Sequence, residues 1–200
     1  KEVGTRKGAY RPFPRVGLKQ AIEVAEKIKT LNGGNPWAAD QLAAAFSMGL
    51  KANNLYYLTA AARDYGLTEG TSRSGTVTIS ELGKEILLAP NPEIEAQKKR
   101  EAFLRIPLFK SVLEHYHGST LPEMKYLGNT LERQFQLPPS FHEEFSRIFR
   151  ENCNYLGISA GEPTEQQEQE PGPAAPSKVV LGESTKQGKK LKAFVIMPFV

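Results

Sequence analysis

Three histidines, His115, His117 and His142, and a single cysteine, Cys153, are the side chains best suited to hold a transition metal or to act as base and nucleophile. Two residues apart on a helix, His115 and His117 project in different directions and cannot chelate one ion together. His142 and Cys153 share a helical face but stand roughly three turns apart, and no zinc spacing is present. The histidines therefore read as surface or helix-cap residues. Cys153, beside Phe149 and Leu156, reads as a small buried hydrophobe. A nucleophilic triad would need a converging serine or cysteine, histidine and carboxylate, and there is no Gly-x-Ser-x-Gly. No glycine-rich phosphate loop or paired carboxylates are present either. Residues 1–160 are expected to hold no catalytic residue, no metal and no cofactor of their own.

Residues suited to binding are easier to find. Lys51, Asn53, Asn54 and Tyr57 lie on the outward face of a helix expected over 51–65, with Ala60 and Asp64 continuing that face. Lysine and asparagine at a helix start can enter a major groove and read base edges. Arg73 follows in a loop of small residues, which suits entry into a minor groove, and Arg11 and Arg15 precede the body. These seven residues are the candidate DNA-binding set. The same face also suits a protein partner or a second copy of the chain. Trp37 and the pair Tyr56–Tyr57 would either stack bases or anchor the core.

The elements that must position these residues are predominantly helical. Leu18, Ala21, Ile22, Ala25 and Ile28 recur at helical spacing and end at Gly33-Gly34. Asn35-Pro36 then reads as the cap and first position of a second helix running to Phe46. Ser47 to Leu50 is a tight turn, and 51–65 completes a helix-turn-helix. Gly66 to Glu69 and Thr76 to Ile79 read as the strands of a hairpin around the flexible loop 70–75. Ser80 caps the next helix. This order, over 16–90, is that of a winged helix.

From 91 to 160 the pattern stays helical, a partner domain that is at most a degenerate second winged helix. Asn91-Pro92 and Pro122 open helices, Pro107 separates two more, and Ser140 with Glu143 reads as a capping box ahead of Phe145, Ile148 and Phe149. The fold class is thus mainly α.

Twenty-six basic side chains face 22 acidic ones, but the excess is local. Residues 1–15 hold five cations against Glu2, while residues 16–160 balance at 16 of each sign. This basic arm, with Gly4, Gly8, Pro12 and Pro14, reads as an extended tail that reaches a groove or an acidic partner, or as a solvated lead-in. No apolar run approaches a membrane span. One cysteine and a polar N-terminal segment fit a cytoplasmic setting.

Residues 161–190 are rich in Glu, Gln, Pro and Gly without an aromatic, which reads as a disordered linker reaching on the order of 30 Å. Residues 191–200 then form an apolar run typical of a strand buried in a parallel sheet, the expected start of an α/β domain beyond Val200. The string Phe194-Val195-Ile196-Met197-Pro198-Phe199 resembles the opening strand of TIR-like and nucleoside 2-deoxyribosyltransferase-like domains of bacteria. That resemblance implies a domain that binds NAD or a nucleotide and attacks its N-glycosidic bond, often in defence against phage. Residues 11–158 resemble the accessory region ahead of such domains. The matching pieces are Arg11 to Arg15, Tyr65 to Glu69, Leu82-Gly83, and Phe149 to Asn152 with Tyr155. The expected function is a non-catalytic regulatory, sensor or assembly module tethered to that effector. The alternative is a sequence-specific DNA-binding transcriptional regulator.

Overall fold

The computed structural model describes residues 11–117 and 121–158. The expected linker at 161–190, the apolar segment at 191–200 and residues 1–10 of the arm lie outside the described residues. The described chain is mainly helical, with a small antiparallel sheet. No helix in it is long and apolar enough to cross a membrane.

The first half runs α1 (Leu18–Asn32), β1 (Trp37–Ala38), α2 (Ala39–Ala45), α3 (Asn53–Asp64), β2 (Thr68–Glu69), β3 (Thr76–Ile79) and α4 (Glu81–Leu87). The apolar stripe of α1 is buried as its spacing requires, and Gly33 ends the helix in the left-handed region with its N–H returned to Ile28 O. The helix expected to open at Asn35-Pro36 begins instead as a strand. Trp37 pairs with Val77 and Ala38 with Thr76, so α2 starts only at Ala39. A partner some forty residues away decides this, and local spacing cannot report it. The sheet order is β1-β3-β2, antiparallel throughout.

Loop 70–75, expected to be flexible, is closed by its own hydrogen bonds. Thr71 N donates to Ser74 Oγ at 3.0 Å and Ser74 N to Thr71 O at 2.9 Å. Ser72 N donates to Thr59 Oγ1 at 3.0 Å, and Thr59 Oγ1 donates to Leu55 O at 2.9 Å. This buried joint pins the hairpin tip to α3. Ser80 Oγ caps α4 by accepting from Gly83 N at 3.1 Å. Gly83 itself packs on Leu67 O, where any Cβ would collide.

The second half comprises α5 (Pro92–Leu104), α6 (Pro107–His115), α7 (Met124–Arg133), a 3-10 turn (Pro139–Phe141) and α8 (His142–Leu156). Asn91 caps α5 as expected, accepting from Ile94 N at 2.9 Å. Pro122 does not open α7, which starts two residues later with Glu123 in the cap position. Ser140 and Glu143 form no capping box. Pro138-Pro139 tighten the entry into a 3-10 turn that takes up Ser140, and no side chain caps α8. No strand occurs among the described residues after 90.

Residues on both sides of the expected 90/91 division enter one hydrophobic core. Its centre is aromatic: Phe103 stacks on Phe109 at 5.2 Å and Phe145 on Phe149 at 5.5 Å, while Tyr65 reaches Phe109 at 6.4 Å. A polar joint crosses the same boundary. Asn152 Oδ1 accepts from Leu18 N at 2.6 Å, and Asn152 Nδ2 donates to Tyr65 OH at 3.0 Å. Tyr65 OH donates onward to Val16 O at 3.2 Å. Gly17 has no side chain with which to cap α1, so α8 supplies the cap from across the fold.

The described end of the arm is docked rather than extended. Phe13 is buried, edge-on to Phe145 at 5.3 Å and to Phe141 at 6.2 Å. Arg11 makes a two-pronged pair with the Glu144 carboxylate and lies over the Phe13 ring at 4.4 Å. Arg-Pro-Phe-Pro-Arg reads as a basic tail by composition, but Phe13 carries enough apolar area to hold it down.

Candidate functional site

Two clefts flank the first turns of α3. One, of about 420 Å³, is lined by Leu50, Lys51, Ala52, Tyr56, Ser72 and Arg73. The other, of about 580 Å³, has Arg15, Gln20, Glu23, Asn54, Tyr57 and Glu144 in its wall. The sequence places α3 at this surface because Leu55, Leu58, Ala61 and Ala62 face the core, turning Asn53, Asn54 and Asp64 outward.

The cap position of α3 is Ala52, which has no side-chain oxygen for the helix start. The first return bond to a residue ahead of the helix is Tyr56 N to Ala52 O at 3.2 Å. The N–H groups of Asn53, Asn54 and Leu55 are therefore left at the open, positive end of the helix dipole.

The cations near α3 are held in two different ways. The Arg73 guanidinium lies over Tyr56, 3.7 Å from its centroid, and Arg15 lies over Tyr57 at 4.5 Å. Tyr56 and Tyr57 are themselves 6.0 Å apart, so Arg73, Tyr56, Tyr57 and Arg15 make one continuous series of contacts across the helix. Lys51 is exposed and enters no ion pair among the described residues. The ring contact holds the Arg73 guanidinium against α3.

Of the seven candidate residues, Lys51, Asn53, Asn54, Tyr57 and Arg73 share this surface, and Arg15 borders it. Arg11 lines neither cleft. Its side chain is 12% exposed and committed to Glu144, with burial lowering its basicity and Glu144 opposing that effect. Trp37 is a buried core residue in β1, and both tyrosines of the expected stacking platform are already engaged by arginines.

Sequence reasoning did not single out Ser72. It is 7% exposed, it lines the Lys51–Arg73 cleft, and its Oγ has no hydrogen-bond partner among the described residues. Nothing in Thr71-Ser72-Arg73-Ser74 says which hydroxyl turns inward; that depends on the bond from Ser72 N to Thr59, 13 residues back.

His115 and His117 are exposed, as expected. His142 corrects the surface reading: it is buried, and its Nε2 donates to Leu137 O at 2.7 Å, closing the turn before α8. Cys153 is buried, and burial pushes its thiol up to about 12, against a smaller opposing pull from Arg150. The described residues contain no group of three or more His, Cys, Asp or Glu able to hold a metal. No family model, curated protein or solved structure matches the chain.

Proposed function

We propose that residues 11–158 form a winged-helix-like, non-catalytic recognition module that regulates or assembles the protein carrying it. The observation that carries this reading is the order α1–β1–α2–α3–β2–β3 closed into the sheet β1-β3-β2, with the hairpin tip bonded to α3 through Ser72 and Thr59. That arrangement presents one helix and one hairpin side by side to a partner. Mixed charge on the presented face favours a protein surface or a second copy of the chain, since Glu23 and Glu144 sit in the same cleft as Arg15. The resemblance at 194–199 supports a tethered TIR-like effector for NAD or a nucleotide, in a cytoplasmic, anti-phage setting.

A second reading, binding of duplex DNA, is favoured by Lys51, Asn53, Asn54 and Arg73 at the start of α3. One experiment separates the two. Residues 1–200 are titrated with duplex DNA at several salt concentrations and sedimented over a range of protein concentrations. The module reading expects self-association that Tyr57→Glu abolishes, and no tight duplex binding at about 150 mM salt. Tight binding there that falls steeply with salt, and weakens in Lys51→Ala and Arg73→Ala, establishes the DNA reading instead. The effector part is tested separately, by NAD consumption in a chain that continues past Val200.

A further inference from the structure

We infer that residues 11–158 pair with a second copy of the chain, the turn between α2 and α3 of each copy entering the cleft of Arg15, Glu23 and Tyr57 on the other. This rests on the module reading above and names its partner. The turn, residues 46–52, lies between the two clefts: Met48 lines one, and Leu50 and Lys51 line the other. It is built as a rigid projection. Ser47 takes the left-handed region at φ 52°, which is uncommon outside glycine. Met48 N donates to Ala43 O and Ala52 N to Gly49 O, both at 2.9 Å. The turn presents Leu50, 43% exposed, followed by exposed Lys51. A segment fixed in this way loses little conformational entropy on docking.

The cleft beside the turn has the matching chemistry. Val16, Phe46, Met48 and Leu58 supply an apolar lining, and exposed Glu23 joins them in the wall. Glu23, like Lys51, enters no ion pair among the described residues, whereas Glu144 in the same wall is held by Arg11. The turn thus offers an apolar side chain followed by a cation, and the cleft an apolar lining with a carboxylate to receive them. Both halves of this contact stand side by side on one chain, which is the condition for a two-fold interface. Leu50 and Lys51 of each copy meet the lining and Glu23 of the other. Duplex DNA suits the face less well, since Glu23 and Glu144 would lie against its phosphates.

The test is sedimentation of residues 1–200 over a range of protein concentrations, with charge reversals at the two ends of the contact. Lys51→Glu and Glu23→Lys should each weaken self-association about tenfold or more, because a two-fold interface repeats the like-charge contact. Leu50→Asp should abolish it. All three residues are exposed, so at dilutions where the parent chain is monomeric the variants should keep its unfolding temperature. The double variant, Lys51→Glu with Glu23→Lys, should associate as the parent does. So should an equal mixture of the two single variants, since each copy then meets an opposite charge at both contacts. Neither a different protein nor a duplex reproduces that rescue. Single variants that associate like the parent, or losses that neither the double variant nor the mixture restores, overturn this pairing. The module reading then stands on self-association through a different surface. A parent chain that stays monomeric overturns the pairing together with the self-association which that reading expects. Duplex binding lost in Lys51→Glu and not recovered in the double variant puts DNA in the place of the second copy.

Discussion

At Cys153 and Tyr65, burial removes the charged form. The Cys153 thiol is pushed from 9.0 up to about 12, and the Tyr65 hydroxyl is raised above its ordinary 10.0, chiefly by burial in each case. Both groups hold their protons more tightly in the folded chain, so the unfolded chain ionises first as pH rises. Their contribution is whole below pH 9 and is lost above it, at up to about 1.4 kcal/mol per pH unit for each group. Urea unfolding against pH should show stability falling from about pH 9. In Cys153→Ala the fall should begin only near pH 10, where Tyr65 takes over. The folded protein should leave Cys153 unreactive toward an aromatic disulfide reagent at pH 8, and urea should expose it. Asn152 belongs to the same scale. Asn152→Ala leaves Leu18 N–H without its acceptor and removes the bond that Tyr65 OH accepts, while Tyr65 OH keeps its bond to Val16 O, and should cost about 2–3 kcal/mol in urea unfolding.

Among elements, α4 gives the sharpest contrast between a tolerated and an intolerable change. Ser80→Ala removes the cap bond from Gly83 N and the bond that Ser80 Oγ donates to Gly66 O, and should cost about 1–2 kcal/mol. Gly83→Ala forces a methyl group onto Leu67 O and should cost more, about 2–4 kcal/mol, because the backbone must move. Thermal unfolding of the two variants side by side checks the order. Ser80 and Asn91 were legible as caps because the signal lies within three residues of the helix start. The stripe of α1 and the buried face of α8 were legible because helical period reports burial directly. What local pattern could not show was anything decided at a distance. Trp37 extends because of Val77, and Ser140 loses its cap role because two prolines tighten the entry before it. Ser72 turns inward because Thr59 binds its N–H. The seven candidate residues were found from type and exposure; the pairing of Arg11 with Glu144, 133 residues on, is of the kind that no local pattern reports.

For the described body, the shared core implies one cooperative unit. Residues 1–90 expressed alone should expose Tyr65 and Phe13, which Phe109, Phe145 and Asn152 of the second half cover. They should bind a hydrophobic dye and lack a sharp thermal transition, whereas residues 1–158 should unfold in one step. Charge follows the same logic: residues 16–160 balance in sign, so attraction for an anion could come only from local patches and not from net charge. The cap that Asn152 lends to Leu18 spans 134 positions of the chain. On a ribosome adding about 5–20 residues per second, α1 emerges many seconds before the residue that finishes it. The nascent chain must therefore wait, incompletely folded, until α8 has cleared the exit tunnel, and chaperones have that interval in which to bind it.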